Sequence, residues 1–362
     1  MDTQHCYCII LAGGIGRRLW PCSKRDMPKQ FIDFLGTGRT LLQQTYDRFA
    51  RFIDKDHILI STFEEYLPLV QEQLPEVPRK NILAEPVQLS TAPSAVWGSC
   101  RIGKQDPEAN IVVSPSDHHI VNEARFEEQI RSGLDFVSQH EEFLAIGVKP
   151  TVPNTAYGYI QMGEKGKEEH MFRVKSFSEK PAPEYARMFV ECGEFLWNTG
   201  IFLWHASTMF RHIEDKARGF SEKTGVFTPV MSVTEELEMI KKRYPTSLHR
   251  TLDLVILEKC ENVYVQQNDF GWADVGSWPE LYEVAEKDAD GNAQLGKAKV
   301  LLSGCQNNLI CLPEDSGAII RGLDGYLVAQ HGNQLVICPN DDPALVRRLA
   351  NEAQIKLGDD FV

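Results

Sequence analysis

The residues best suited to chemistry stand at the start of the chain. They are Ile9-Ile10-Leu11-Ala12-Gly13-Gly14-Ile15-Gly16-Arg17-Arg18-Leu19-Trp20-Pro21, followed by Met27-Pro28-Lys29-Gln30-Phe31. An apolar run that stops at closely spaced glycines is the pattern of a buried strand handing its backbone to a ligand. Glycine permits the bend and lets N–H groups approach phosphate oxygens without a Cβ in the way. Arg18 and Lys29 add positive charge, and backbone donors with two cations make a polyphosphate site. A P-loop would need Gly-Lys-Ser/Thr, and no Lys-Ser or Lys-Thr follows these glycines. A dinucleotide fingerprint would need Gly where Leu19 stands, and Pro21 blocks an immediate helix.

Four other segments pair acids or amides with strand ends. Asn110-Ile111-Val112-Val113-Ser114-Pro115-Ser116-Asp117-His118 is a strand running into a turn with a carboxylate at its tip, where hard oxygen donors suit Mg²⁺ beside a triphosphate. Gly271-Trp272-Ala273-Asp274-Val275-Gly276 offers a second carboxylate, and two aspartates from distant segments on one cation form a common metal-assisted phosphoryl transfer site. Phe177-Ser178-Glu179-Lys180-Pro181 ends a strand with an acid and a base, and the proline allows a turn that faces both toward a ligand. Leu196-Trp197-Asn198-Thr199-Gly200 sets polar groups in an apolar run, where a buried amide needs a partner such as a sugar hydroxyl.

These segments resemble the sugar nucleotidyltransferase signature Gly-Gly-x-Gly-x-Arg-Leu-x-Pro followed by Pro-Lys. The Leu-Trp-Pro and Pro-Lys-Gln-Phe forms are similar to the mannose-1-phosphate guanylyltransferases. The resemblance covers roughly residues 5–285 through six segments in family order. It implies a nucleotide site at Leu11, Ala12, Gly13, Gly14, Gly16, Arg18, Glu85, Ser116 and Asp117. It also implies a sugar-phosphate site at Gly158, Glu179, Lys180 and Asn198, and Mg²⁺ on Asp117 and Asp274, with Arg18, Lys29 and Lys180 as the catalytic cations. Glu85 lies in Ala84-Glu85-Pro86, which is similar to the family's base-recognition loop. An ionised carboxylate there could accept from guanine N1–H and N2–H₂. The chain departs from the family at Gln88-Leu89-Ser90, where Gly-Arg-Asn or Lys-Asn is common, and at Thr199, where Ser is usual. The implied reaction is GTP plus α-D-mannose 1-phosphate giving GDP-mannose and pyrophosphate. Two alternatives stay open: a transferase for another sugar 1-phosphate or nucleotide, and a regulatory subunit that binds nucleotide sugar without turnover.

Such residues need a scaffold that brings strand ends together. Apolar runs at 7–11, 57–61, 81–84, 110–114 and 142–148 alternate with amphipathic stretches at 40–52, 91–104 and 123–139. That alternation predicts a Rossmann-like α/β fold with a mainly parallel, doubly wound sheet, whose ligands lie at the carboxyl ends of strands. From about residue 291 the texture changes to short β-branched pieces at 299–302, 308–312, 317–321, 325–329 and 334–338, closed by a helical pattern at 343–356. The expected organisation is a catalytic domain over 1–288 and a small β domain over 289–362. The family resemblance implies that the latter is a short left-handed β-helix.

With 362 residues, 43% of them apolar and 25% charged, the chain has the composition of a folded globular protein. Its net charge of −13 argues against nucleic-acid or membrane-surface partners. Nine cysteines at irregular spacing do not read as a disulfide framework, and the lone Cys6-x-Cys8 pair does not complete a zinc site. No apolar run approaches the ~18 residues of a membrane span, and the N-terminus lacks a signal pattern. The expectation is a cytoplasmic enzyme, with room for a homodimer.

Overall fold

The computed structural model describes residues 3–166, 168–216, 233–246, 251–255, 257–358 and 361. Contacts divide the chain into two compact units, and chain order does not separate them. One unit is Met1–Gly13, Tyr46–Ser116 and Ile120–Trp272, and the other is Gly14–Thr45, Asp117–His119 and Ala273–Val362. The boundary drawn at 288/289 follows sequence texture. The packing instead groups the glycine-loop segment with the C-terminal chain.

The first unit is built on a nine-stranded sheet. Its strands are β1 (Cys6–Leu11), β2 (Ile58–Phe63), β3 (Ile82–Glu85), β4 (Asn110–Pro115), β6 (Phe143–Val148), β7 (Gly158–Lys165), β8 (Met171–Ser178), β9 (Phe195–His205) and β10 (Val263–Asn268). Outside that sheet, β5 (His118–Ile120) and β11 (Trp272–Asp274) form a short ribbon. The nine-stranded order is β3-β2-β1-β4-β9-β6-β10-β8-β7. β3, β2, β1 and β4 are parallel neighbours, as are β6 and β10. β9 runs antiparallel to β4, β6 and β7, and β8 runs antiparallel to β7 and β10. The sheet is therefore mixed, which corrects the expectation of a mainly parallel one. Strand direction depends on which distant run fills the gap beside β4, and local periodicity does not encode that choice.

Buried apolar residues from these strands and the helix Thr91–Gln105 form the main core, including Ile9, Leu83, Val96, Trp97, Ile111 and Trp204. The helix approaches the sheet closely at Gly98, where a Cβ would lie 2.6 Å from Ile9 Cδ1. The helix Glu123–Gln139 starts at Asn122, whose side chain accepts from the Arg125 N–H.

In the second unit β12 (Ala293–Leu295), β14 (Leu309–Cys311) and β16 (Tyr326–His331) pair in parallel, and β17 (Gln334–Pro339) closes their edge antiparallel. β13 (Lys299–Ser303) and β15 (Gly317–Arg321) make a separate parallel pair. Strands β12 to β16 thus alternate between two sheets. The chain returns to the same rung from 299 to 317 and from 309 to 327, a step of 18 residues each time. Leu19, Trp20, Cys22 and Phe34 share a core with Val275, Trp278, Leu309, Leu327 and Val346. The Trp278 indole N–H donates to the Trp20 carbonyl at 3.0 Å, so the β coils and the helix Leu345–Leu357 brace the loop that carries Arg18 and Lys29.

Candidate active site

The glycine loop is shaped by one left-handed residue and several backbone anchors. Gly16 has φ +73°, and a Cβ there would fall 2.6 Å from Ser23 Oγ and 2.8 Å from Lys29 Cγ, so the position requires glycine on two counts. Ser23 Oγ donates to the Ile15 carbonyl at 2.8 Å, and the Gln30 amide donates to the Gly14 carbonyl at 2.9 Å. Upstream, the Ala12 N–H donates to the Ser61 carbonyl at 2.7 Å, and Thr62 Oγ1 donates to the Ala12 carbonyl at 2.9 Å. The Ser116 N–H donates to the Leu11 carbonyl at 3.2 Å, and the Gln88 amide donates to the Gly13 carbonyl. The unusual Gln88 therefore holds the start of the loop.

Within the second unit the expected cations and carboxylates come together. Lys29, buried at 8% exposure, pairs its ammonium with Asp117 and lies 3.9 Å from Asp274 Oδ1. Arg18 Nη2 lies 3.9 Å from the other Asp274 oxygen. Burial disfavours the charge on Lys29, but Asp117 and Asp274 outweigh it and hold the ammonium above its ordinary pKa. Burial likewise works against an ionised Asp117, yet Lys29, His118 and Arg18 keep that carboxyl below its ordinary value. The group sets two basic side chains against two acidic ones. Gly276 belongs to it because a Cβ there would run into the Arg18 guanidinium and stand 3.1 Å from both Asp274 oxygens.

Sequence reasoning missed Glu280 beside this quartet. Its Oε2 accepts from the Gly276 N–H at 3.1 Å and from Ser277 Oγ at 2.7 Å, in the first turn of the helix Trp278–Val284. Burial and the Asp274 charge push its carboxyl up to about 7. The signal was present as Ser277-Trp278-Pro279-Glu280, the Ser-x-x-Glu pattern of a helix start.

The donor chemistry fits a divalent cation. Asp117 and Asp274 both reach one point, now bridged by the Lys29 ammonium, and carboxylate oxygens are the ligands Mg²⁺ takes. Among the described residues no group of three or more His, Cys, Asp or Glu is placed to hold a metal. Such a cation would therefore complete its shell with phosphate oxygens and water, as Mg²⁺ commonly does.

In the first unit, Gly158, Glu179, Asn198, Asp253 and Glu258 line one small pocket. Gly158 pairs with Asn198 across β7 and β9, and a Cβ on it would sit 2.8 Å from Glu179 Oε2. Asn198 is clamped at both ends of its amide: Nδ2 donates to Asp253 Oδ1 at 2.8 Å, and Oδ1 accepts from the Gly200 N–H at 3.0 Å. Asp253 is the second residue the sequence reading passed over. A single acid in the apolar run Leu252-Asp253-Leu254-Val255 was its signal. Burial pushes its carboxyl up, and the charges of Glu179 and Glu258 add to that shift. Thr199 finds its partner within the protein, donating to the Ile146 carbonyl at 2.7 Å. Lys180 is exposed, has φ +45° and pairs its ammonium with Glu179.

Glu85 makes its hydrogen bonds within the protein. The carboxylate is enclosed: Oε1 accepts from Ser61 Oγ at 2.8 Å and Ser94 Oγ at 2.7 Å, and Oε2 accepts from Tyr244 at 2.7 Å. Burial pushes its carboxyl up against the pull of these three hydroxyls. This network ties β2, β3 and the helix Thr91–Gln105 to Tyr244. A larger cavity of about 730 Å³ along β7 and β8 contains none of the expected site residues.

A glycine loop that ends a parallel strand and leads to a lysine–diaspartate cluster defines a phosphoryl transfer class. The chain belongs to the nucleotidyl transferase family, which matches residues 7–291. It is 31% identical to a mannose-1-phosphate guanylyltransferase of Salmonella montevideo, over 95% of this chain and 74% of that one. It is 29% identical to a putative mannose-1-phosphate guanylyltransferase of Vibrio cholerae, over 94% and 73%, and 32% identical to the Sinorhizobium fredii enzyme, over 88% and 62%. Among solved structures, one described as a mannose-1-phosphate geranyltransferase from Thermus thermophilus superposes with a TM-score of 0.86 at 26% identity, covering 97% of this chain and all of that one. This supports the α/β nucleotide-diphospho-sugar transferase fold. No described helix is long and apolar enough to cross a membrane.

Proposed function

We propose that this protein transfers GMP from GTP to α-D-mannose 1-phosphate, giving GDP-mannose and pyrophosphate. The observation that carries the reading is the balanced quartet of Arg18, Lys29, Asp117 and Asp274 beside the glycine loop. A sugar-phosphate oxygen attacks the α-phosphorus, the bond to the β-phosphate oxygen breaks, and pyrophosphate leaves. No protein nucleophile is needed, so the chain's contribution is orientation and charge. Lys29 and Arg18 meet the charge that grows on the phosphates, while the backbone of residues 11–16 cradles them. Mg²⁺ held by Asp117 and Asp274 would supply further Lewis-acid charge. Gly158, Glu179 and the clamped Asn198 receive the sugar, and Lys180 neutralises its phosphate.

The closed Glu85 network favours reading of the base by other groups, such as the backbone of residues 11–13. The decisive experiment is therefore pyrophosphate release across four nucleoside triphosphates and several sugar 1-phosphates. GTP with mannose 1-phosphate should give the highest kcat/KM. A different best pair would replace this substrate reading, and no release with any pair would point to a binding subunit. In this reading residues 1–288 perform the chemistry and 289–362 brace the phosphate loop. The 18-residue parallel step supports a short left-handed β-helix there, and nine free cysteines suit a cytoplasmic location.

A further inference from the structure

The thiols of Cys22 and Cys311 stand 3.8 Å apart although 289 positions separate them in the chain. Both line a cavity of about 400 Å³, together with Phe31, Phe34, Leu312 and His331. Cys22 is buried and its S–H also faces the Gln330 carbonyl at 4.0 Å, whereas Cys311 is partly exposed. Cys22 follows Pro21 inside the segment that carries Arg18 and Lys29, and Cys311 ends β14 of the coil that braces it. We propose that Cys22 and Cys311 form an oxidation site for small hydroperoxides, and that their disulfide pins the phosphate loop to the β coil and slows turnover.

The two sulfurs have unequal roles. The thiol contact lowers the pKa of Cys311 and raises that of Cys22, with burial adding to the rise at Cys22. Cys311, the more exposed sulfur, is therefore the thiolate that attacks. It takes one oxygen of the hydroperoxide, the O–O bond breaks, and water or an alcohol leaves with a proton from solvent. The sulfenic acid formed on Cys311 is then attacked by the Cys22 sulfur. An S–S bond forms, the S–O bond breaks and water leaves, so two thiols are oxidised by two electrons for each peroxide reduced. Closing the pair from 3.8 Å to a bond of about 2.05 Å requires side-chain rotation and a small shift of the loop. Lys29 and Arg18 lie on that same loop, so a covalent tie restricts the adjustment they make when phosphates enter between them and the carboxylates. The exposed Cys192 lies on the other unit and serves as an internal control.

The full chain is reduced, freed of reductant, treated with one equivalent of hydrogen peroxide and quenched with catalase. Free thiols are counted in denaturant, cross-linked peptides are mapped by mass spectrometry, and pyrophosphate release is measured before and after dithiothreitol. The wild type should lose two of its nine thiols, yield a Cys22–Cys311 peptide pair and lose at least fivefold in kcat, with full recovery on reduction. Cys22→Ser and Cys311→Ser should form no such link and keep their activity after peroxide, and Cys→Ala versions guard against a misfolded serine variant. A link between other cysteines, over-oxidation of Cys311 without a link, or a Cys22–Cys311 disulfide with unchanged kcat would each overturn the proposal. The thiol count and peptide map do not depend on which substrates the enzyme uses.

Discussion

Partly or fully buried carboxylates appear in both units, and the two units neutralise them differently. Asp117 and Asp274 are balanced by the full charges of Lys29 and Arg18, whereas Glu85 and Asp253 are held by hydroxyl and amide groups that carry none. An ion cluster can exchange partners when a phosphate or a divalent cation arrives, because its attraction is long-ranged and tolerates loose geometry. A carboxylate fixed by neutral donors depends on direction and distance, so it holds a shape. The first arrangement suits a place where charge moves, and the second suits a fixed framework.

Breaking the ion cluster should have the largest effect. Lys29→Ala should lower kcat by about a hundredfold or more, since one preorganised electrostatic partner is worth ~2.7–4 kcal/mol. Asp117→Asn should remove Mg²⁺-dependent turnover and also lower stability by roughly 3 kcal/mol, because the nearly buried Lys29 loses its closest partner. Steady-state kinetics over a Mg²⁺ series and denaturant melts separate these two effects. Wild-type metal dependence in a folded Asp117→Asn would break the comparison at its charged end.

At the neutral end, Asp253→Leu should release the Asn198 amide and raise KM for the sugar phosphate about tenfold, equivalent to one ordinary hydrogen bond of ~1.4 kcal/mol, while KM for the nucleotide stays put. Equal changes in both constants would show that Asp253 acts on the fold at large. Tyr244→Phe leaves a Glu85 oxygen without its donor and should cost roughly 1–3 kcal/mol in a urea melt. A shifted GTP-to-ATP ratio of kcat/KM in that variant, with stability unchanged, would return Glu85 to base recognition.

A pH-dependent effect sharpens the border between the two kinds of carboxylate. Glu280 titrates at about 7 in the folded chain, against roughly 4.3 when unfolded. Between those values the folded form binds more protons, so this residue removes stability as pH rises through that window and adds no further loss above it. Glu280→Gln keeps an oxygen for the Gly276 N–H and the Ser277 hydroxyl but does not titrate. Its Tm relative to wild type should therefore rise between pH 5 and pH 8, and a flat difference would mean that the carboxyl is not raised.

Local structure was largely legible in the sequence. The expected strands at 7–11, 57–61, 81–84, 110–114 and 142–148 fall on β1, β2, β3, β4 and β6, and the helix at 123–139 is Glu123–Gln139. The short β pieces after 291 were equally readable, because Gly304, Gly322, Gly325 and Gly332 adopt the positive φ that turns between them require. Arg18, Lys29, Asp117 and Asp274 were legible as a set because their motifs follow strand ends. The antiparallel insertion of β9 was not readable, since pairing partners far apart in sequence decide it. The partners of Glu85 were not readable, because a motif names a residue without saying what its side chain touches. Ser61, Ser94 and Tyr244 come from three separate segments.

The grouping of residues 14–45 with the chain beyond 272 has a consequence for synthesis. The segment that carries Arg18 and Lys29 is translated early, yet Trp278, Leu309, Leu327 and Val346, which pack around it, arrive more than two hundred residues later. At about 5–20 residues per second the ribosome takes roughly ten seconds to a minute to deliver them. Throughout that interval Lys29 and Arg18 wait without Asp274. The cluster of Arg18, Lys29, Asp117 and Asp274 is therefore completed late, once residue 274 has been made and the C-terminal coils have packed around residues 14–45.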